Sequence, residues 1–502
     1  MTGGGVELAA TGERASSLAL GRQVVAAATR EVDTTASTAA RNESDWRRRY
    51  ASHLRTLTRL EAHHHAARIA SAGLAAAQEA FVFRGGDGVR ALDVATDVVA
   101  PAGAGVELET VTLRGDATRQ ERVLTVPYHG GRLRDDALRQ QLDTWVARGV
   151  LEPGAASALR MLQDRPDLLD VSDLTVVLVG AGAQMGPLQS LLRWGAHVIA
   201  VDVADPVLWQ HLLDVASQSA GRLSVPVRRS VGSRRRDELA HDAGVDIVTE
   251  LPSVTAWLRT LLAGRSGPCT IGTYVYADGL AHVQATVAVD ALTQRLMQDD
   301  EHLSLAFLAT PTDVYAVPLD VVEDSRRRYR HRAAGAVAAY GLSAGHLFTQ
   351  NYPDIVAGHG GERFGLCDAL VVQQGPNYAL AKRIQRWRAT QAHLAGRTVS
   401  VNVAPATRTR SVVRNRMLAA AYAGAPRFGL EVFDPSTSST LMAALLVHDL
   451  RTSASSTPSD PDRDEPYRLF TDTAVHGGMW RSGYAPRSVL GAAVVLGMVS
   501  RG

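Results

Sequence analysis

Lysine is nearly missing from this chain. Of 53 Lys+Arg residues only Lys382 is a lysine, which leaves 53 − 1 = 52 arginines. A composition that uses arginine almost everywhere singles out the one position where lysine was kept. Arginine is a planar fork that stays charged, whereas lysine is a compact ammonium that can stand beside a reacting group. Cysteine is scarce as well: Cys269 and Cys367 are the only two. They form no CxxC or metal pattern and are expected to be reduced thiols. No run of 18 or more apolar residues occurs, so no spanning helix is expected. The first residues, MTGGGVELAATGERASS, have no basic segment followed by an apolar one, so no secretory signal is expected and a cytoplasmic location is. An excess of one charge is also lacking. The formal net charge is +2, which offers no bulk attraction to nucleic acid or to an anionic membrane.

What remains is an ordinary globular composition, 46% hydrophobic over 502 residues. Residues 1–43 are rich in Ala, Thr, Ser and Gly and read as a loose or partly helical lead-in. Residues 45–78 read as helix, with Leu54, Leu57, Leu60 and Ile69 at helical spacing. Residues 104–130 alternate as two strands joined by a polar turn would. Residues 135–162 are helical with a break at Pro153-Gly154. Residues 1–170 are thus expected to form an α+β extension of unassigned role.

At Leu174 the pattern changes. TVVLVG (175–180) is a short continuous apolar run, as a strand buried on both faces requires. A glycine turn, a helix to Trp194 and a second run, HVIAVDV (197–203), complete a β-α-β unit. Further strand-like runs lie at 222–226, 245–250, 303–309, 369–373 and 398–404. Helical stretches near 253–264, 281–298, 321–340 and 378–395 alternate with most of them. This alternation predicts an α/β fold built on a doubly wound parallel sheet, Rossmann-like, over 171–502. The low-complexity stretch 451–466 reads as a solvated linker.

The turn after the first strand is Gly180-Ala-Gly182-Ala-Gln184-Met185-Gly186. Its glycines suit a tight turn, close approach to a pyrophosphate and close helix packing. Asp202 ends the next strand, at about the distance in sequence from Gly180 that a ribose-binding acid keeps. A carboxylate there accepts from a ribose 2′-hydroxyl and repels a 2′-phosphate, which favours NAD over NADP. Farther on, Tyr378 and Lys382 stand at i and i+4 and share a helix face. An ammonium near a phenol lowers its pKa toward useful acid/base behaviour.

Strand-GxGxxxG-helix-strand-Asp, then a YxxxK helix, then a strand ending in VNVAP resembles the short-chain dehydrogenase/reductase superfamily. The chain looks like a divergent member with an N-terminal extension and an insertion at about 313–370. The resemblance implies an NAD(P)-dependent oxidoreductase that interconverts an alcohol and a carbonyl of a small-molecule substrate. It implies Tyr378 as acid/base and Lys382 as its modulator and nicotinamide-ribose ligand. Thr310 or Thr312 would hold the substrate oxygen, and the Pro405-Ala406-Thr407-Arg408-Thr409 loop would meet the carboxamide through Thr407 or Thr409. Residues 437–450 would be the last major helix and 474–480 a closing strand region. The family's forms also allow a homo-oligomer. The family's NAG-type turn would follow the fourth strand, where Thr249-Glu250-Leu251-Pro252 is read instead. Reduction of an enoyl thioester and dinucleotide binding without turnover are the alternatives.

Other candidates are weaker. His63, His64 and His65 are adjacent on a helix and point in different directions, which suits a solvated face better than a metal site. RRRYRHR (326–332) is a basic run of the kind that is usually solvated. Arg383, Arg386, Arg388, Arg408 and Arg410 flank the proposed site and could meet an acidic substrate group. Asp278 and His282 are expected to line the pocket, and Tyr276 could compete as acid/base.

Overall fold

The computed structural model describes every residue except 1–3, 10–15, 98–107, 117–119, 229–235, 359–360, 372–373, 453–466 and 500–502. The linker read at 451–466 therefore lies almost wholly outside the described residues. The central feature is a mixed, mostly parallel seven-stranded sheet flanked by helices. Its strands are β1 (Leu108–Arg114), β2 (Thr175–Val179), β3 (His197–Val201), β4 (Arg222–Arg228), β5 (Cys269–Thr273), β6 (Ser304–Ala309) and β7 (Val399–Val403). Their order across the sheet is β7-β6-β5-β2-β3-β4-β1. All neighbours are parallel except β1, which runs antiparallel along β4 from Leu108 opposite Arg228 to Arg114 opposite Arg222.

Apolar runs make these strands because both faces are covered. Val177 and Val179 face one core, while Val176 and Leu178 face the other. The first core takes in α1 (Trp46–Leu60), α2 (Leu280–Asp299) and α3 (Gly375–Leu394). The second takes in α5 (Pro435–Thr452), preceded in the chain by α4 (Arg416–Gly424) and followed by α6 (Pro486–Val499).

The N-terminal part, expected as an extension, shares these cores. Helices Ser17–Thr29 and Thr34–Arg41 form where a loose lead-in was expected. Ser16 and Asp33 cap them, each accepting a backbone N–H of the first turn. The helix expected over 45–78 runs from Trp46 to Glu79 with a π-turn at Glu61–His65. Its second half lies on α3 so closely that a Cβ at Gly73 would meet Trp387 at 2.5 Å. The two strands expected in 104–130 form but do not pair with each other. β1 joins the central sheet, and Val126–Tyr128 pairs with Gly131–Leu133.

Three other expectations are corrected. Residues 245–250 form no strand; Val245 and Ile247 are buried by loop packing, which an apolar pattern alone does not distinguish from a ladder. Residues 369–371 are likewise not a strand, and the rest of that expected run, 372–373, lies outside the described residues. Arg363–Asp368 is a strand, and it forms a small antiparallel sheet with Val314–Pro318 and Val356–Ala357 inside the insertion. Residues 474–480 are loop and turn rather than a closing strand. There His476 Nε2 meets Glu152 Oε1 at 2.8 Å, and the Arg481 guanidinium reaches the same carboxylate at 2.6 Å. Among the described residues no helix is long and apolar enough to cross a membrane. Cys269 and Cys367 are buried free thiols.

Candidate functional site

Strand order reverses between β2 and β5, and a crevice opens at the carboxyl ends of two such strands. Gly180 follows β2 there, at φ 84°. A Cβ on it would lie 2.7 Å from the Tyr274 carbonyl carbon and 2.8 Å from Val275 N, both backbone atoms just past β5. Gly180→Ala is therefore expected to lose at least about 1–2 kcal/mol from the left-handed backbone alone. Chemical denaturation measures this, and a variant as stable as the parent would mean the turn is not held as described. The segment after β5 is Tyr274–Gly279. The fourth parallel strand is thus β5, and the Thr249–Pro252 segment expected to follow it precedes it instead.

Asp202 follows β3 and turns back onto the glycine loop. Its carboxylate accepts from Gly182 N–H at 2.8 Å and from Val203 N–H at 2.8 Å. Burial pushes its pKa above the usual carboxylate value, against those two bonds. Both donors are neutral backbone N–H groups. Much of the loop is already engaged. The Gly180, Ala181, Ala183 and Gly186 N–H groups each donate to a backbone carbonyl. The helix that follows, Leu188–Arg193, is short and has Pro187 at its N-cap. Gln184 accepts from Arg410 N–H at 2.8 Å, which ties the glycine loop to the segment after β7. Met185 packs part-buried on the second core.

Thr310, directly after β6, shares a hydrogen bond of 2.8 Å with Thr312. Thr312 is in turn held by Gln374, at the start of α3. The Thr310 hydroxyl rather than that of Thr312 acts on the phenol of Tyr378, and its influence favours the phenolate. Burial outweighs it, so the Tyr378 pKa lies above its ordinary value. The lowering expected from Lys382 is not what governs the phenol in this arrangement. The Tyr378 ring stacks on His282 with centroids 5.4 Å apart and 18° between planes, and Tyr276 meets it edge-on at 6.3 Å. His282 Nδ1 accepts from Ala277 N–H at 3.0 Å. Burial pushes its pKa down to about 3, and the nearby Lys382 charge adds to this, so it is neutral. Asp278 accepts from the Tyr276 hydroxyl at 3.2 Å.

Lys382 comes off α3 one turn after Tyr378. Its ammonium donates to the Leu308 carbonyl of β6 and to Gln385 Oε1, both at 3.0 Å. Burial lowers its pKa to about 8, opposed by the Asp313 charge. Thr310, Lys382, Gln385, Asp313 and Arg386 line a cavity of about 10 Å3, roughly the room one water needs.

The arginines proposed to meet a substrate are mostly committed elsewhere. Arg383 Nη2 and Arg386 Nη1 clamp the buried Asp313 at 3.1 and 2.8 Å. Glu61, brought down by the π-turn, holds Arg383 at 2.8 Å and Trp387 Nε1 at 2.9 Å. Arg388 grips Asp290 through two bonds of 2.6 and 2.9 Å. Arg408 and Arg410 remain exposed. The Thr407 hydroxyl, buried, donates to Pro405 O at 2.9 Å and meets Ser438 of α5 at 2.6 Å. Thr409 shares a 3.0 Å bond with Ser411. His63, His64 and His65 sit in the π-turn. Among the described residues no group of metal-ligating side chains gathers.

The structure therefore brings Thr310, Tyr378, Lys382 and His282 together, and separately Gly182 with Asp202. It turns Thr407 inward. Asp313 and Gln374 escape a reading of the sequence, because nothing local marks an acid or amide whose partners lie far off in the chain. No family model matches the chain, and no relative is found among curated proteins.

Proposed function

We propose that this chain is an NAD(P)-dependent oxidoreductase of the short-chain dehydrogenase/reductase kind, built on a Rossmann-like sheet and acting on a carbonyl or alcohol. The observation that carries the reading is the convergence of Thr310, Tyr378 and Lys382 at the carboxyl end of β6. These residue types in that placement suit proton transfer at a substrate oxygen. Asp202 beside Gly182 supports a ribose hydroxyl as ligand, and so NAD over NADP. A bound nicotinamide would supply or accept hydride. The chain's own residues do the rest. Thr310 orients the substrate oxygen and Tyr378 donates its proton. The ammonium of Lys382 favours negative charge developing nearby. A phenol held above its ordinary pKa is a proton donor through the neutral range, which favours reduction over oxidation.

The pH dependence follows with a definite sign. Lys382 is charged below about 8 and loses its proton above it, while Tyr378 stays protonated. Reduction is expected to fall through a limb near pH 8. Lys382→Arg, whose guanidinium stays charged, is expected to lose that limb. A profile flat from pH 6 to 10 would remove Lys382 from the mechanism. The reading itself is tested by following NADH absorbance against panels of ketones and enoyl thioesters. Consumption supports it. Binding of NADH without consumption by any of them would favour the second reading, a dinucleotide-binding protein without turnover.

A further inference from the structure

The near-zero net charge hides an uneven distribution. Asp and Glu make up 51 of 502 residues, about one in ten, yet none occurs between Asp324 and Asp354, between Asp368 and Glu431, or after Asp472. The fold gathers parts of these acid-free stretches into one lobe. α4 and α6 pack antiparallel at contact distance: a Cβ at Gly424 would strike Ala493 O, and one at Gly497 would strike Ala420 O. The segment that follows helix Ala334–Leu342 of the insertion joins them through Phe348. That ring lies 6.1 Å from Phe428 and 5.4 Å from Tyr484, and Phe348 N–H donates to Ser488 O at 3.3 Å.

This lobe is apolar where it meets water. Of seventeen large apolar side chains exposed among the described residues, ten lie in 334–349, 410–428 and 486–499. Leu342 is 91% exposed, Val499 75%, Val413 60% and Met417 59%. Arg410, Arg414, Arg416 and Arg427 are exposed on the same segment, and no ion pair holds them among the described residues. Arg408 has only Asp434, at 4.0 Å. Exposed apolar side chains concentrated in this way mark an interaction site.

The chemistry selects the occupant. A second copy across a two-fold axis would set this acid-free surface against itself, and like charges would oppose the contact. A protein partner covers one face of a helix, but Ala334–Leu342 (AGAVAAYGL) is apolar around its whole circumference and buries only Ala336. Such a helix needs an apolar medium rather than a groove. Arginines around exposed Val, Leu and Met match the requirements of a lipid headgroup interface. We propose that this lobe docks on an anionic phospholipid bilayer without spanning it. The Arg410–Gln184 bond places the docked surface beside the crevice, so an apolar substrate could enter from the bilayer side. The docking stands independently of the hydride chemistry.

The test is sedimentation of the full chain with vesicles of phosphatidylcholine alone or with about a third phosphatidylglycerol. Partitioning to the anionic vesicles is expected to be at least about tenfold stronger and to weaken with salt. Leu342→Asp, Met417→Asp and Val499→Asp combined should abolish it with the melting temperature unchanged, since all three side chains already stand in water. Arg410→Ser, Arg414→Ser and Arg416→Ser combined should weaken it about tenfold or more. Equal partitioning to both vesicles, no partitioning, or variants that bind like the parent would overturn the proposal. No partitioning would leave the surface to an acidic protein instead.

Discussion

Replacing Tyr378 by phenylalanine is expected to lower turnover about 10²–10⁴-fold, the range a positioned general acid contributes. The loss should fall on kcat, with NADH affinity nearly unchanged. The physical reason lies in what the substitution spares. The ring still stacks on His282 and meets Tyr276 edge-on, as the tyrosine ring does at 5.4 and 6.3 Å. Only the hydroxyl goes. Steady-state kinetics on any substrate found in the NADH assay measures the effect. Full activity in Tyr378→Phe would move the proton donor elsewhere, with Tyr276 the nearest candidate.

Asp313→Ala is expected to be the most damaging single change to stability, at about 3–5 kcal/mol. Asp313 is 1% exposed and lies between Arg383 and Arg386. Removing it leaves two buried guanidiniums facing each other, with Glu61 able to answer only Arg383. The two cations hold the Asp313 carboxyl below its usual pKa despite burial. Its contribution is therefore complete above the unfolded value of about 4 and fades as pH falls through the lower folded value. Urea unfolding of parent and variant at neutral pH measures the loss. A difference below about 1 kcal/mol would mean the cluster relaxes or takes in water.

Legibility in the sequence followed the physics of each element. β2, the glycine turn and β3 were readable because strands buried on both faces are continuous apolar runs. β5 was not, because CTIGT carries threonines and a glycine that the sheet buries as it does valines. VDIVTE and the described start of ALVVQ, Ala369 and Leu370, show the reverse error, since loop packing can bury the same residue types without a ladder. Lys382 was conspicuous through rarity alone, and it does stand one turn from Tyr378 beside Thr310. Its coupling to the phenol was not readable. Burial sets that pKa, and the groups around the phenol, among them Tyr276, His282, Thr310 and Tyr422, come from segments far apart in the chain. The acid-free lobe was present in the sequence throughout, but only the fold shows that its parts meet.

The proposed chemistry requires first a dinucleotide in the crevice between β2 and β5. Titration of the intact chain with NADH, followed by nicotinamide fluorescence, tests this most directly. Saturable binding is expected, weakened about tenfold or more by Asp202→Ala, which removes a charged acceptor, and left nearly unchanged by Tyr378→Phe. Absence of saturable binding, or binding indifferent to Asp202, would contradict it.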